Sequence, residues 1–294
     1  MNSVQYAESH KYTMGGFFSL ALSTLVHVAL LFMLVGWLEM GWTGICISTS
    51  AQFFSRFIVS QIYLCCIEPY QKTNYVSLFS ASTVTSLRPQ FDRGFMSLLM
   101  GVWGWWAFDI FTLLASYLST AAISAQTIMR SLGLLTFMIP VGFNRAMNYY
   151  VGYYIGQGCE RSLKHYYNVA LLMACFVGVL QMILLWALRE QFINMYTTQE
   201  DIMEQMRLCW NVFLVFVFFD TTQGICSSAI RAAGKQKIGA LITGAAYFVI
   251  GIPITCLLIF VYSAGIMGIW VGPTLSCIFI TFAYQIIVCR TDWQ

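Results

Sequence analysis

Apolar stretches of about 20 residues follow one another along this chain with almost no charge inside them, the length that crosses a bilayer as a helix. Within hydrocarbon a helix satisfies its own backbone N–H and C=O groups, whereas barrel strands carry short alternating segments. Composition supports the same reading. Of the 294 residues 59% are hydrophobic and 9% charged, against roughly 25% charged in soluble domains. Mean hydropathy is +0.72, and a soluble fold of this size has no interior large enough for that much apolar surface. Soluble enzymes, disordered chains, collagens and coiled coils are therefore excluded, leaving an all-α polytopic membrane protein. Of the 10 cysteines, Cys46, Cys175, Cys226, Cys256 and Cys277 fall inside apolar runs, Cys65 adjoins Cys66, and no CxxC or Cys/His pair has zinc spacing. They read as small hydrophobes, with no metal or cofactor implied. No Lys/Arg run suggests nucleic acid, and the polar start MNSVQYAESHKYT lacks the layout of a signal peptide.

The apolar pattern places eight helices at about 15–38, 42–66, 95–118, 122–147, 165–188, 207–231, 238–262 and 266–288. A polar connector, Glu68 to Arg93, separates the second from the third. It divides the chain into residues 1–66 (two spans ending a first lobe), a cytoplasmic linker 67–94, and a six-helix second lobe 95–294. With a cytoplasmic N-terminus, the inner segments hold Lys11, Lys72, Arg88, Arg93, Arg161, Lys164, Arg231, Lys235, Lys237 and Arg290, and the outer ones only Arg189 and Arg207. That bias places both termini in the cytoplasm. Residues 29–41, ALLFMLVGWLEMG, also echo 256–268, CLLIFVYSAGIMG, at an offset of 227. Shared hairpin composition and a repeat both explain the echo, and parallel repeats are common in transporters.

An ionised Asp at a helix centre costs about 2.5–3.5 kcal/mol on insertion scales, so each one requires a reason. Asp220 sits near the middle of the sixth span, and Asp220, Gln223, Gly224 and Ser227 share one helical face at i, i+3, i+4 and i+7. Such a face lines an aqueous cavity or a neighbouring helix, so Asp220 is either an ion- or proton-binding group or an interhelical hydrogen bonder. Asp109 and Arg130 lie at similar depth on either side of a hairpin near Ser119–Thr120 and are placed to pair. Asp109 is then structural or gating, or else proton-carrying. Gln126, Asn144 and Arg145 add polarity to the fourth span, where Pro140 should bend the helix. Trp103, Trp105 and Trp106 near Asp109 are either lipid and packing contacts or the wall of an organic-cation pocket. His27 is a core histidine or a cavity liner, and Arg231 with Lys235 and Lys237 reads as a cytoplasmic anchor. No GxSxG, HExxH or phosphate loop is present, so no catalytic reading stands.

The segments DTTQGICSSAIRAAGKQKIGA (220–240) and AAYFVIGIPI (245–254), SAQTIMRSLGLLTFMIPVGFNRAMNYYVGYYIGQG (124–158) and GVWGWWAFDIF together resemble motifs of the multidrug and toxic-compound extrusion (MATE) transporters, above all the eukaryotic branch. STLVHVALLFMLVG is similar to the penultimate helix of that family's first lobe. Departures are Gly104 and Asp109 in the Trp-Trp motif, Arg130–Ser131 where animal members carry a glutamate, and Tyr149 and Tyr150 before Val-Gly. The resemblance implies twelve spans in two lobes, of which this chain lacks the first four. It implies a secondary antiporter exporting organic cations, xenobiotics or metabolites in exchange for protons, with sodium the other candidate ion, in the plasma membrane or a vacuolar or other endomembrane. Asp220 and Asp109 are then the proton- or cation-binding groups, and Gln223, Gln126, Trp105, Trp106, Arg130 and Tyr247 line the substrate cavity. The alternatives are a transport-inactive fragment, a half-transporter whose partner subunit supplies the missing helices, and a lipid or oligosaccharide flippase of the same superfamily.

Overall fold

The computed structural model describes residues 12, 14–66 and 87–291, and among these every regular element is helical. The chain divides into two compact units, Met1–Leu87 and Arg88–Gln294.

In the first unit, α1 (Met14–Leu31) runs on through a widened π turn, Phe32–Trp37, and a tight hairpin leads to α2 (Gly41–Cys66). Gly15, Ser19 and Ser23 are the buried residues of α1, one turn apart on one face, and Gly44 and Ser48 are buried on α2. Small residues let two helices approach closely in a lipid environment, where apolar contact alone gives no preference. The buried hydroxyls serve their own helices: Ser19, Ser23 and Ser48 donate to the carbonyls of Gly16, Leu20 and Ile45 at 3.0, 3.0 and 2.9 Å.

The second unit holds α3 (Leu87–Ser116), α4 (Thr120–Gly156), α5 (Glu160–Ala187), a short α6 (Arg189–Tyr196), α7 (Glu200–Ala232), α8 (Gln236–Phe260) and α9 (Gly265–Arg290). Among the described residues seven helices are long and apolar enough to cross a membrane, where the apolar pattern predicts eight spans. The difference is α2. Its 26 residues suffice in length, but Thr43, Ser48, Thr49, Ser50, Gln52, Ser55, Arg56, Ser60 and Gln61 dilute its hydropathy. The expected linker 67–94 falls mostly outside the described residues, and its last part, from Leu87, is already helical. The apolar part of α3 begins at Gly94.

The hairpins after α1 and after α8 share one backbone geometry. Glu39 and Gly41 have φ of 48° and 53°, and Ser263 and Gly265 have 51° and 58°. Both pairs are 224 residues apart, whereas the sequence echo aligns at 227. Positive φ is rare outside glycine, so the structural correspondence of these turns is three residues off the compositional one.

The middle of the second unit is α7, packed against α4, α5 and α9. Its upper half buries Trp210, Phe213 and Phe216, and Trp270 of α9 stands edge-on to both phenylalanines at 5.0 and 5.4 Å between ring centres. At the end of the bundle near α6, Arg207 donates to Glu190 at 2.8 Å and to Glu200 at 2.6 Å. The Arg207 hydrogen bond holds the Glu190 carboxyl below the usual carboxylate range.

A proline sets the packing at mid-bundle. Pro140 lies inside α4 and has no N–H for the carbonyl of Thr136, one turn earlier. Gln181 of α5 fills the gap: its Nε2 donates to the Thr136 carbonyl at 2.9 Å, while its Oε1 accepts from the Thr221 hydroxyl of α7 at 2.9 Å. All three side chains are buried. Three helices are thus joined beside residue 220. A second break, the π turn Ala245–Gly251 in α8, precedes Pro253. That ring conflicts with the carbonyl of Val249, and the wider turn relieves the conflict. The Ser276 hydroxyl of α9 donates to the Ala246 carbonyl in this turn at 2.8 Å.

Gln181→Leu strands a buried carbonyl and a buried hydroxyl and should cost about 1–3 kcal/mol, seen as a lower thermal unfolding midpoint of the purified protein. In a Pro140→Ala background the Thr136 carbonyl regains its helical donor, so the same substitution should cost less. Equal cost in both backgrounds would mean that Gln181 does not serve the proline gap.

Candidate functional site

α7 presents Asp220, Gln223, Gly224 and Ser227 to a cavity of about 390 Å³ inside the second unit. Asp220 lies 12 residues before the end of α7 at Ala232, roughly 18 Å along the axis. α3 contributes Gly104, Trp105 and Phe108, α4 contributes Arg130, Phe137 and Asn144, and α8 and α9 contribute Thr243, Tyr247, Trp270 and Tyr284. One wall is aromatic and the α7 face is polar.

The carboxylate is sparsely partnered. Gln223 Nε2 donates to Asp220 Oδ1 at 3.1 Å, and no cationic side chain forms an ion pair with it among the described residues. Gln223 Oε1 and Asn144 Oδ1 are buried without hydrogen-bond partners. Asn144 lies directly over Gly224, where an added Cβ would stand 2.5 Å from its Nδ2. Only glycine leaves room there for an amide against the α7 backbone. Among the described residues no three His, Cys, Asp or Glu side chains gather to hold a metal.

Arg130 Nη1 donates to Asp109 Oδ1 at 2.7 Å across the α3–α4 hairpin, which is capped by Ser119 accepting from Ala122 N at 3.0 Å. Arg130 lines the cavity, whereas the Asp109 side chain is 63% exposed and lies outside it. Trp105 and Tyr247 line the cavity as well, the latter carried by the π turn of α8. Trp106 does not: it is exposed and stands edge-on to Trp103 at 5.7 Å, and Trp103 packs on Phe248 at 5.3 Å. Gln126 is also off the cavity, fully buried, with neither amide atom hydrogen-bonded. His27 belongs to the first unit, half-buried with Nδ1 unpartnered.

Arg231, expected as a cytoplasmic anchor, lines the cavity instead. Eleven residues beyond Asp220, it extends the same stripe by one more turn. That spacing was available in the sequence, but grouping Arg231 with Lys235 and Lys237 obscured it. Asn144, Thr243 and Tyr284 carried no such signal, because their facing direction depends on helix packing.

The MatE family profile matches residues 97–257, more than half of the chain and every cavity helix except α9. The chain belongs to the MatE family. Relatives include mouse "Multidrug and toxin extrusion protein 2", 28% identical over 272 residues that cover 90% of this chain and 41% of that protein. Zebrafish "Multidrug and toxin extrusion protein 1" is 30% identical over 199 residues, covering 67% of this chain and 34% of the relative. This MatE chain therefore spans less than half the length of either. Among solved structures, the eukaryotic MATE transporter AtDTX14 superposes with a TM-score of 0.93 at 22% identity, over 99% of this chain and 65% of its own. The Vibrio cholerae MATE transporter VcmN in its bent form gives 0.73 at 17% identity, over 95% and 62%. These structures share the fold.

The Asp109–Arg130 pair predicts coupling. Asp109→Asn or Arg130→Gln alone leaves one charge uncompensated, so the double variant should be more stable than the sum of the single losses by about 0.5 kcal/mol or more. Unfolding midpoints of the four purified proteins test this, and strictly additive losses would count against the pair.

Proposed function

We propose that this chain forms the substrate- and proton-binding wall of a secondary antiporter that exports organic cations, with Asp220 as the exchanging carboxylate. The supporting observation is the Asp220 environment. One neutral amide donor, a polar strip of α7 and a 390 Å³ cavity surround it, without an ion pair among the described residues. An ionised carboxylate there is poorly compensated, and either a proton or a cationic substrate relieves the cost. The two ligands compete for the same oxygens. If each favours a different arrangement of the transporter, competition for one group becomes alternating access.

The other residues take roles around that exchange. Gln223 fixes the orientation of the Asp220 carboxylate, and Trp105, Phe108 and Tyr247 offer aromatic faces to a cation. Asp109 neutralises Arg130 and so lowers the repulsion a cationic substrate would meet at that wall. Trp106 and Gln126 have no part in this scheme. Alternating access needs a second body, so the cavity is one face of a site completed by another lobe, carried on the same polypeptide or on a partner subunit. The likeness to eukaryotic transporters favours the proton over sodium, and the Lys/Arg bias places both termini in the cytoplasm of a plasma or endomembrane.

Reconstituted into liposomes together with the lobe that completes the site, the chain should export tetraethylammonium in exchange for protons down an imposed proton gradient, and Asp220→Asn should lower that flux at least about tenfold, a loss of 1.4 kcal/mol or more, while inserting normally. Unaltered proton-driven flux in the Asp220→Asn variant would overturn the assignment.

A further inference from the structure

We infer that the cavity contains a second, anion-binding subsite at Arg231, built to take a carboxylate, sulfonate or phosphate group of a transported amphiphile. The inference deepens the proposed reading of the cavity as a substrate site and rests on it. Arg231 lies on the Asp220 stripe of α7, roughly 16 Å further along the axis, and its side chain lines the same cavity. Its Nε is buried without a hydrogen-bond partner, and no carboxylate pairs with it among the described residues.

Neighbouring groups are already engaged. The Tyr284 hydroxyl donates to the Gly239 carbonyl at 2.8 Å and lies 2.6 Å from Thr243 Oγ1. Lys235 Nζ donates to Thr291 Oγ1 at 2.8 Å. The other arginine on the cavity wall, Arg130, has Asp109, and Arg207 at the far end of α7 has Glu190 and Glu200. A half-buried guanidinium without an acceptor is costly, and pairing with an acidic group offsets that cost. The last turn of α7 also favours positive charge through the helix dipole. The guanidinium fork binds planar acids through two parallel hydrogen bonds. Since Arg130 is neutralised, Asp220 and Arg231 are the two charges of the cavity wall without an ion pair among the described residues, of opposite sign and three turns apart. The substrate class thus includes amphiphilic acids and zwitterions as well as cations.

Trp105 and Trp270 line the cavity, so energy transfer from tryptophan to a bound dansyl group reports occupancy. Dansylglycine and dansylglycinamide differ only in the carboxylate. In phospholipid-free detergent the full chain should bind dansylglycine about tenfold more tightly, the scale of a charge-assisted hydrogen bond. Arg231→Gln should equalise the two while still binding the amide, and Arg231→Lys should keep part of the preference. The Lys variant decides the matter if the Gln variant does not fold. Asp220→Asn should leave the preference intact or raise it, which separates failure here from failure of the exchange at Asp220. No preference in the wild type, or a preference that survives Arg231→Gln, overturns the subsite. A preference seen in detergent but abolished in phospholipid nanodiscs also overturns it, because a lipid phosphate then occupies Arg231.

Discussion

A carboxylate on a helix that crosses hydrocarbon must be compensated, and among the described residues Asp220 has neither a cation nor a full set of donors. The second unit is organised around that deficit. α7 carries the acid, and α4, α5 and α9 pack around it. Gly224, Asn144 and Gln223 keep its surroundings polar without neutralising it. The contrast with Arg130 and Arg207 is informative, since each of those charges meets its opposite within 2.8 Å. Of the three charged side chains on the cavity wall, Arg130 is paired, and Asp220 and Arg231 form no ion pair among the described residues.

Backbone satisfaction is the second constraint, and it determines where the helices are joined. Pro140 removes a donor in the middle of α4, and an amide from α5 with a hydroxyl from α7 restores the balance. Because Thr221 is the neighbour of Asp220, the α4 break and the carboxylate are linked through consecutive residues. The π turn of α8 follows the same logic near Pro253 and brings Tyr247 onto the opposite wall. Irregular backbone at this depth is tolerated where protein or a cavity covers it. The α4 break, beside Phe137, and the α8 turn that carries Tyr247 both adjoin the cavity.

Much of this was legible in the sequence, because helix periodicity and hydrophobic length are strong local signals. The helical spans, the Asp220–Gln223–Ser227 face and the Asp109–Arg130 register across the Ser119 hairpin all follow from spacing along one or two helices. What spacing could not supply was the rotation of each helix against its neighbours. Trp105 and Trp106 differ by 100° on α3, and only the first faces the cavity. Gln126 shares α4 with Arg130 yet is buried away from the site. Gln181 gave no local sign that it completes a hydrogen bond lost at Pro140, since its partners are 45 and 40 residues away. The second expected span is a full-length helix, α2, although its serines and threonines leave it less apolar than the other seven long helices among the described residues.

The exchange proposed at Asp220 has a direct physical signature, because a cation that displaces a proton must release it to solvent. With the purified chain in weakly buffered detergent at mildly acidic pH, binding of tetraphenylphosphonium should liberate about one proton per cation bound, and Asp220→Asn should liberate none. Cation binding by the wild type without proton release, or equal release from the asparagine variant, would contradict the account.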